Sequence, residues 1–279
     1  MISAWEHHAV HRPAQLLADR GVDVVVIGPA DDGPFDLEAF RSVLSEGVRL
    51  VVISAASNVT GELLPVGEIG EMAKASGATF MVDAAQIGGW MPIEGDPDLF
   101  AFAGHKGPQG PWGIGGLYVA PHVVMRSPEA SCEIPLDGSA PECAVMPGYC
   151  DAGSVNRAAL AGLAVALQAC NPARLLVARE LCERFVVGAL ALGMTLHGAR
   201  NPERRMPTAA VTSAGISPTE LAAKLALAEI YASGGIQCAP LAHRTLGTDP
   251  TGVLRVSFGP TNRAGDVTAI LDALREILG

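Results

Sequence analysis

The 279-residue chain is short of positive charge, and of lysine above all. Lys and Arg number 19 against 29 Asp and Glu, a net charge of −10. The only lysines are Lys74, Lys106 and Lys224. Such a balance excludes the basic surface that a nucleic-acid binder needs. Aromatic residues make up only 5%. Trp5, Trp90 and Trp112 form no base-stacking pattern and read as packing residues. No window reaches the roughly 18 uninterrupted apolar residues of a membrane span. The stretch 158–169 is too short and Ala-rich, and reads as a core helix. No charged n-region followed by an apolar run opens the chain, so no signal peptide is expected. Six cysteines are too few for a disulfide framework, and Cys132, Cys143 and Cys150 lack the C-x2-C pairs of a zinc site. His7 and His11 share a helical spacing without an HExxH pattern, which leaves His11 a surface role. Gly113-Ile114-Gly115-Gly116 lacks the Gly-Lys-Ser/Thr of a P-loop and reads as a tight strand entry. A reduced, cytoplasmic protein without a resident metal is the expectation.

Hydrophobic residues are 49% and charged residues 17%, the composition of a folded core. At about 150 residues per domain, one or two domains are expected. Apolar runs at 22–27, 50–54, 79–82, 99–103 and 115–120 read as strands. Helical patterns at 36–45, with Asp36 as N-cap, and at 66–76, closed by Gly77, separate them. Strands alternating with helices predict an α/β fold with a mostly parallel sheet covered on both faces. Residues 121–153 read as a loop, and 154–170 and 173–192 as helices divided by Asn171-Pro172. Strands at 208–212 and 253–258, with helices at 218–228 and from 263 onward, read as a small α+β unit. The expected division is a large domain over 1–172 and a small C-terminal one over 173–279.

Ligands in open α/β sheets gather at the carboxyl ends of strands. Three polar groups fall there: Asn58 after strand 50–54, Asp83 after 79–82, and His105-Lys106 after 99–103. An amide, a carboxylate and a lysine together suit pyridoxal phosphate (PLP), which needs a Schiff-base lysine and an acidic partner for its pyridine nitrogen. Lys74 and Lys224 lie on amphipathic helices as solvated groups, so Lys106, in a glycine-rich turn, is the candidate. Taken alone it also reads as a surface turn lysine, and Cys238 alone as a buried structural cysteine.

Ordered motifs add a resemblance. Glu6-His7-His8-Ala9-Val10, Ser57-Asn58-Val59-Thr60-Gly61, Asp83-Ala84-Ala85-Gln86 and Gly104-His105-Lys106 are similar to the cysteine desulfurase family. That family belongs to the class V aminotransferases, with PLP fold type I. The similarity continues through Asp151-Ala152-Gly153-Ser154-Val155-Asn156, the stretch from Gly235 to His243 around Cys238, and Leu254-Arg255-Val256-Ser257-Phe258. It implies an enzyme that converts L-cysteine to L-alanine and leaves sulfur on Cys238 as a persulfide. His7 would stack on the pyridine ring, Asp83 pair with its nitrogen, and Gln86 bind its hydroxyl. Asn58 would hold that hydroxyl or the substrate carboxylate. Lys106 would carry the cofactor and move protons, and His105 would reach the phosphate. Arg255 would bind the substrate carboxylate, which suits a bidentate guanidinium. Ser154 stands where the family has a Thr reaching the partner's phosphate, which implies a homodimer. His243 is a candidate base for Cys238 by sequence proximity, and a sulfur-acceptor protein is an implied partner.

Two departures set further expectations. The family carries a segment before the Glu6-His7 motif that grips the phosphate through a helix N-terminus, so relative to it the chain is expected to be N-terminally incomplete, with Met1–Ser3 inside a core strand. Ala103 replaces a phosphate-binding Ser or Thr. Hydrogen bonds to charged groups are worth about 1.5–3 kcal/mol each, so losing several weakens cofactor binding by roughly a hundredfold or more. A selenocysteine lyase, another class V enzyme and a non-catalytic paralogue on the same scaffold stand as alternatives.

Overall fold

A computed structural model describes residues 1–45, 47–125 and 154–279. Cys132, Cys143, Cys150, Asp151–Gly153 and most of the expected 121–153 loop lie outside the described residues. The first sheet is built from β1 (Ile2–Ser3), β2 (Val26–Ile27), β3 (Leu50–Ser54), β4 (Thr79–Asp83), β5 (Leu99–Ala103) and β6 (Gly115–Val119). Their order is β2-β1-β3-β4-β5-β6, parallel throughout except that β6 runs antiparallel to β5. Val51, Ile53 and Val82 are fully buried in its centre, as expected of strands covered on both faces. The strand expected over 22–27 shrinks to its last two residues, because its partner β1 offers only Ile2 and Ser3 for pairing.

The helices of this unit end on local chemistry. In α2 (Leu37–Leu44), Asp36 accepts from the backbone N–H of Glu38 and Ala39. In α3 (Val66–Ser76), Gly77 closes the helix at φ 76°, a left-handed value that glycine adopts without a Cβ penalty. The earlier helix α1 (His8–Ala18) carries Pro13 in its interior. The missing bond falls on the carbonyl of Ala9, an exposed residue.

The chain then forms α4 (Arg157–Gln168), capped by Asn156, and α5 (Ala173–Ala191). No single helix among the described residues is long and apolar enough to cross a membrane. The second sheet comprises β7 (Thr195–His197), β8 (Thr208–Thr212), β9 (Ser233–Gly235) and β10 (Val253–Ser257). It is antiparallel, in the order β7-β8-β10-β9. Helices α6 (Pro218–Leu227), α7 (Pro240–Leu246) and α8 (Ala264–Leu278) complete it. Gly252 sits at φ 77°, where a Cβ would stand 1.9 Å from the Gly235 carbonyl, so only glycine lets the chain enter β10 this close to β9.

The segment after β3 joins the two sheets. Gly61 and Arg204 accept from Met206 and Leu63 across it, and Arg205 pairs with Glu62. Arg205 itself is 1% exposed and meets Glu183 at 2.7 Å. That buried cation was invisible in the sequence pattern.

Candidate active site

Three strand ends of the large sheet aim their following residues at the second sheet. After β3, the Ser57 hydroxyl accepts from the N–H groups of Val59 and Thr60, shaping the turn that carries Asn58. The Asn58 amide donates to the Gln237 carbonyl at 2.7 Å, while its buried Oδ1 has no partner among the described residues. At the end of β4, Asp83 Oδ1 accepts from Ala85 N–H. After β5, a Cβ on Gly107 would stand 2.1 Å from the Gly88 carbonyl, so this glycine lets the Lys106 turn pack against its neighbour.

The opposite wall comes from the second sheet and its loops. Arg255 on β10 donates from Nη1 to the Asn58 carbonyl at 2.7 Å. Ser257, two residues further along the same strand face, meets Thr208 of β8 at 3.0 Å between hydroxyls. Cys238 follows β9 as an exposed thiol. It sits at φ 59° directly after Gln237 at φ 46°. Two successive non-glycine residues in the left-handed region cost about 1 kcal/mol or more each. The Cys238 carbonyl in turn accepts from His8 N–H at 2.8 Å.

His7, Asn58, Gln86, Lys106, Cys238 and Arg255 share one cavity of about 520 Å³. Trp90, Gln237, Thr208 and Ser257 are among the other residues of its walls. Asp83 is outside the lining yet acts on the charges of both His7 and Lys106. Lys106 is exposed to the cavity, but confinement between the walls lowers its amine pKa; Asp83 opposes that shift and Arg255 adds to it. Burial likewise lowers the His7 imidazole, reinforced by Lys106 and opposed by Asp83. Since His7 Nδ1 accepts from Ala9 N–H, the neutral ring carries its proton on Nε2. Burial lowers the Arg255 guanidinium from a value so high that it stays a cation.

Behind this floor lies Glu6, fully buried. Its Oε1 accepts from Ser3 Oγ and Ser54 N–H, and its Oε2 from Ser54 Oγ. Desolvation outweighs these three bonds and raises its pKa to about 7, with Asp83 adding to the rise. The acid is thus held largely protonated below neutrality.

Two of the expected residues lie away from this cavity, Ser154 as its expected role toward a partner's site allows. The His105 ring stacks on Trp112, with centroids 4.4 Å apart and planes 11° from parallel. Ser154 is exposed ahead of α4. Neither is part of the cavity lining. Trp112 is 81% exposed and so is not the packing residue expected, whereas Trp5 and Trp90 are buried. His243 is not placed as a base for Cys238: it is fully buried, with Nδ1 against Thr248 Oγ1 at 2.8 Å and Nε2 against Gln237 Oε1 at 3.2 Å. Both ring nitrogens are committed. Cys182 is buried with its thiol pushed up to about 12, an inert core residue. Among the described residues no cluster of three or more His, Cys, Asp or Glu could hold a metal. Lys74 and Lys224 lie on α3 and α6, paired at the surface with Asp96 and Glu220.

The donor set fits PLP at its ring and carbonyl end. An amine with a lowered pKa, an aromatic ring and an amide with an unused acceptor face one space large enough for the group, and the Asp83 carboxylate lies close enough to act on its charges.

Comparison with known proteins agrees. The aminotransferase class V family model matches residues 1–270. A probable cysteine desulfurase of Pyrococcus abyssi is 29% identical over 98% of this chain and 71% of its own length. Another from Mycolicibacterium paratuberculosis is 30% identical over 99% of this chain, but the match spans 42% of that protein. The apo structure of a cysteine desulfurase from Thermococcus onnurineus superposes with a TM-score of 0.86 at 30% identity, covering 99% of this chain and 72% of that one. These matches establish the PLP fold type I architecture, and the chain belongs to the class V aminotransferase family, within its cysteine desulfurase group.

Proposed function

We propose that this chain binds PLP through Lys106 and converts L-cysteine to L-alanine, passing the sulfur to Cys238. The observation that carries this reading is the joining of Lys106, Cys238 and Arg255 around one cavity. PLP, when bound, supplies an aldehyde and an electron sink for the substrate's carbon skeleton.

The side chains divide the remaining work. Lys106, its amine made less basic by the cavity walls, is a nucleophile and then a proton carrier at Nζ. His7 stacks on the cofactor ring, and Asp83 holds the ring nitrogen's proton. Gln86 and Asn58 Oδ1 bind the ring hydroxyl. His105 would bind the phosphate. Arg255 takes the substrate carboxylate, using the donors not spent on Asn58. The Cys238 thiolate attacks the substrate sulfur. The Cβ–S bond breaks, its electron pair stays with the carbon skeleton, and an S–S bond forms on Cys238. Overall, L-cysteine plus a thiol gives L-alanine plus a persulfide, with no external oxidant.

The exposed position of Cys238 leaves the persulfide within reach of a sulfur-acceptor protein. The same reading has the protein act in the cytoplasm as a homodimer, with the exposed Ser154 offered to the partner's cofactor. The full chain with PLP and L-cysteine is expected to release alanine and to gain one sulfur atom at Cys238 by mass spectrometry. Absence of alanine release in the presence of saturating PLP overturns the reading.

A further inference from the structure

We propose that Gln237 is a positioning residue for Cys238: its side-chain amide, locked by His243, holds the turn that delivers the thiol to the cavity. The catalytic consequence rests on the desulfurase reading; the strut itself does not.

The geometry fixes every polar atom of this side chain. Gln237 Nε2 donates to the Ser233 carbonyl and to the Val253 carbonyl, both at 3.0 Å. Those carbonyls belong to the first residues of β9 and β10, so the amide ties the turn that carries Cys238 back onto both paired strands. With both hydrogens spent, Oε1 is left as an acceptor, and His243 Nε2 stands 3.2 Å from it. That nitrogen therefore carries the ring proton, and Nδ1 accepts from the Thr248 hydroxyl at 2.8 Å. His243 is fully buried on α7, the helix that begins two residues after Cys238. The Gln237 backbone carbonyl is held as well, by Asn58 from the large sheet.

The turn needs this support because Gln237 and Cys238 both occupy the left-handed region without being glycine. Glutamine is the side chain that offers two donors and an acceptor at this reach. Glutamate has no donor, and asparagine is one methylene shorter. His243 thus serves Cys238 through Gln237 and not as its base.

Gln237→Met keeps the volume and removes all three bonds. In the full chain with PLP, we expect amide hydrogen exchange over residues 236–239 to speed up about tenfold or more. We also expect kcat for L-cysteine to fall about tenfold or more while KM stays within about twofold, because Arg255 still holds the carboxylate end. Thr248→Val, a milder cut at the far end of the chain of bonds, should act in the same direction by about threefold. It carries the decision if Gln237→Met does not fold. Unchanged exchange in both variants overturns the strut, and so does a loss of kcat/KM carried equally by KM. If the wild-type chain proves inactive on L-cysteine, the desulfurase reading fails, and the exchange rates alone decide the strut.

Discussion

The two walls of the cavity are held by different physics. On the large-sheet side, Asp83 ends β4, and Asn58 and Lys106 lie just beyond the carboxyl ends of its parallel neighbours β3 and β5. On the other side, Arg255 is placed by a strand, whereas Cys238 hangs on a left-handed turn braced by Gln237 and His243. On the proposed reading, the strand-built wall suits the groups that would hold a cofactor, and the braced turn suits a nucleophile that would present sulfur both to the cavity and to the outside.

Substitutions can break that contrast, beginning with the strand-built wall. Lys106→Ala should abolish turnover and the visible PLP absorbance of the chain, since neither Lys74 nor Lys224 reaches the cavity; a spectrum and an alanine assay read both. Cys238→Ala should cut sulfur release from L-cysteine about a hundredfold or more while leaving that absorbance intact, separating the two walls in one experiment. Arg255→Lys keeps the charge but loses the planar fork, so KM for L-cysteine should rise about ten- to fiftyfold with little loss of kcat. The smallest effect concerns Glu6, behind the strand-built wall. Its folded pKa of about 7 lies above the ordinary 4.5, so the native state binds more protons between those values. That contribution to stability is fully present below about pH 4.5 and is lost as pH rises through about 7, on the order of 3 kcal/mol in all. Glu6→Gln should flatten the decline in denaturant midpoint over this range; an unchanged slope would show that Glu6 does not cause it.

The contrast also explains what the sequence made legible. β3, β5 and β8 run over the expected residues, because continuous apolar runs bounded by polar turns leave little choice. Asp36 and Gly77 announced their helix ends through capping chemistry. β1, β7 and β9 are two or three residues long, too short for any periodicity to register. In the site, motif residues at strand ends were readable, but partners that meet only through the fold were not. Ser257 had a signal, since it shares a strand face with Arg255. Gln237 had none beyond its place beside Cys238. His243 was misread as a base because sequence proximity says nothing about which way a buried ring faces. Trp112 was misread for the same reason: its exposure follows from the turn it sits on and not from its hydrophobicity.

The scarcity of lysine makes one measurement especially direct. The full chain incubated with PLP, reduced with borohydride and mapped by peptide mass spectrometry should carry the PLP-derived mass on Lys106 alone. The mass on Lys74 or Lys224, or on no lysine, would contradict the assignment of this cavity.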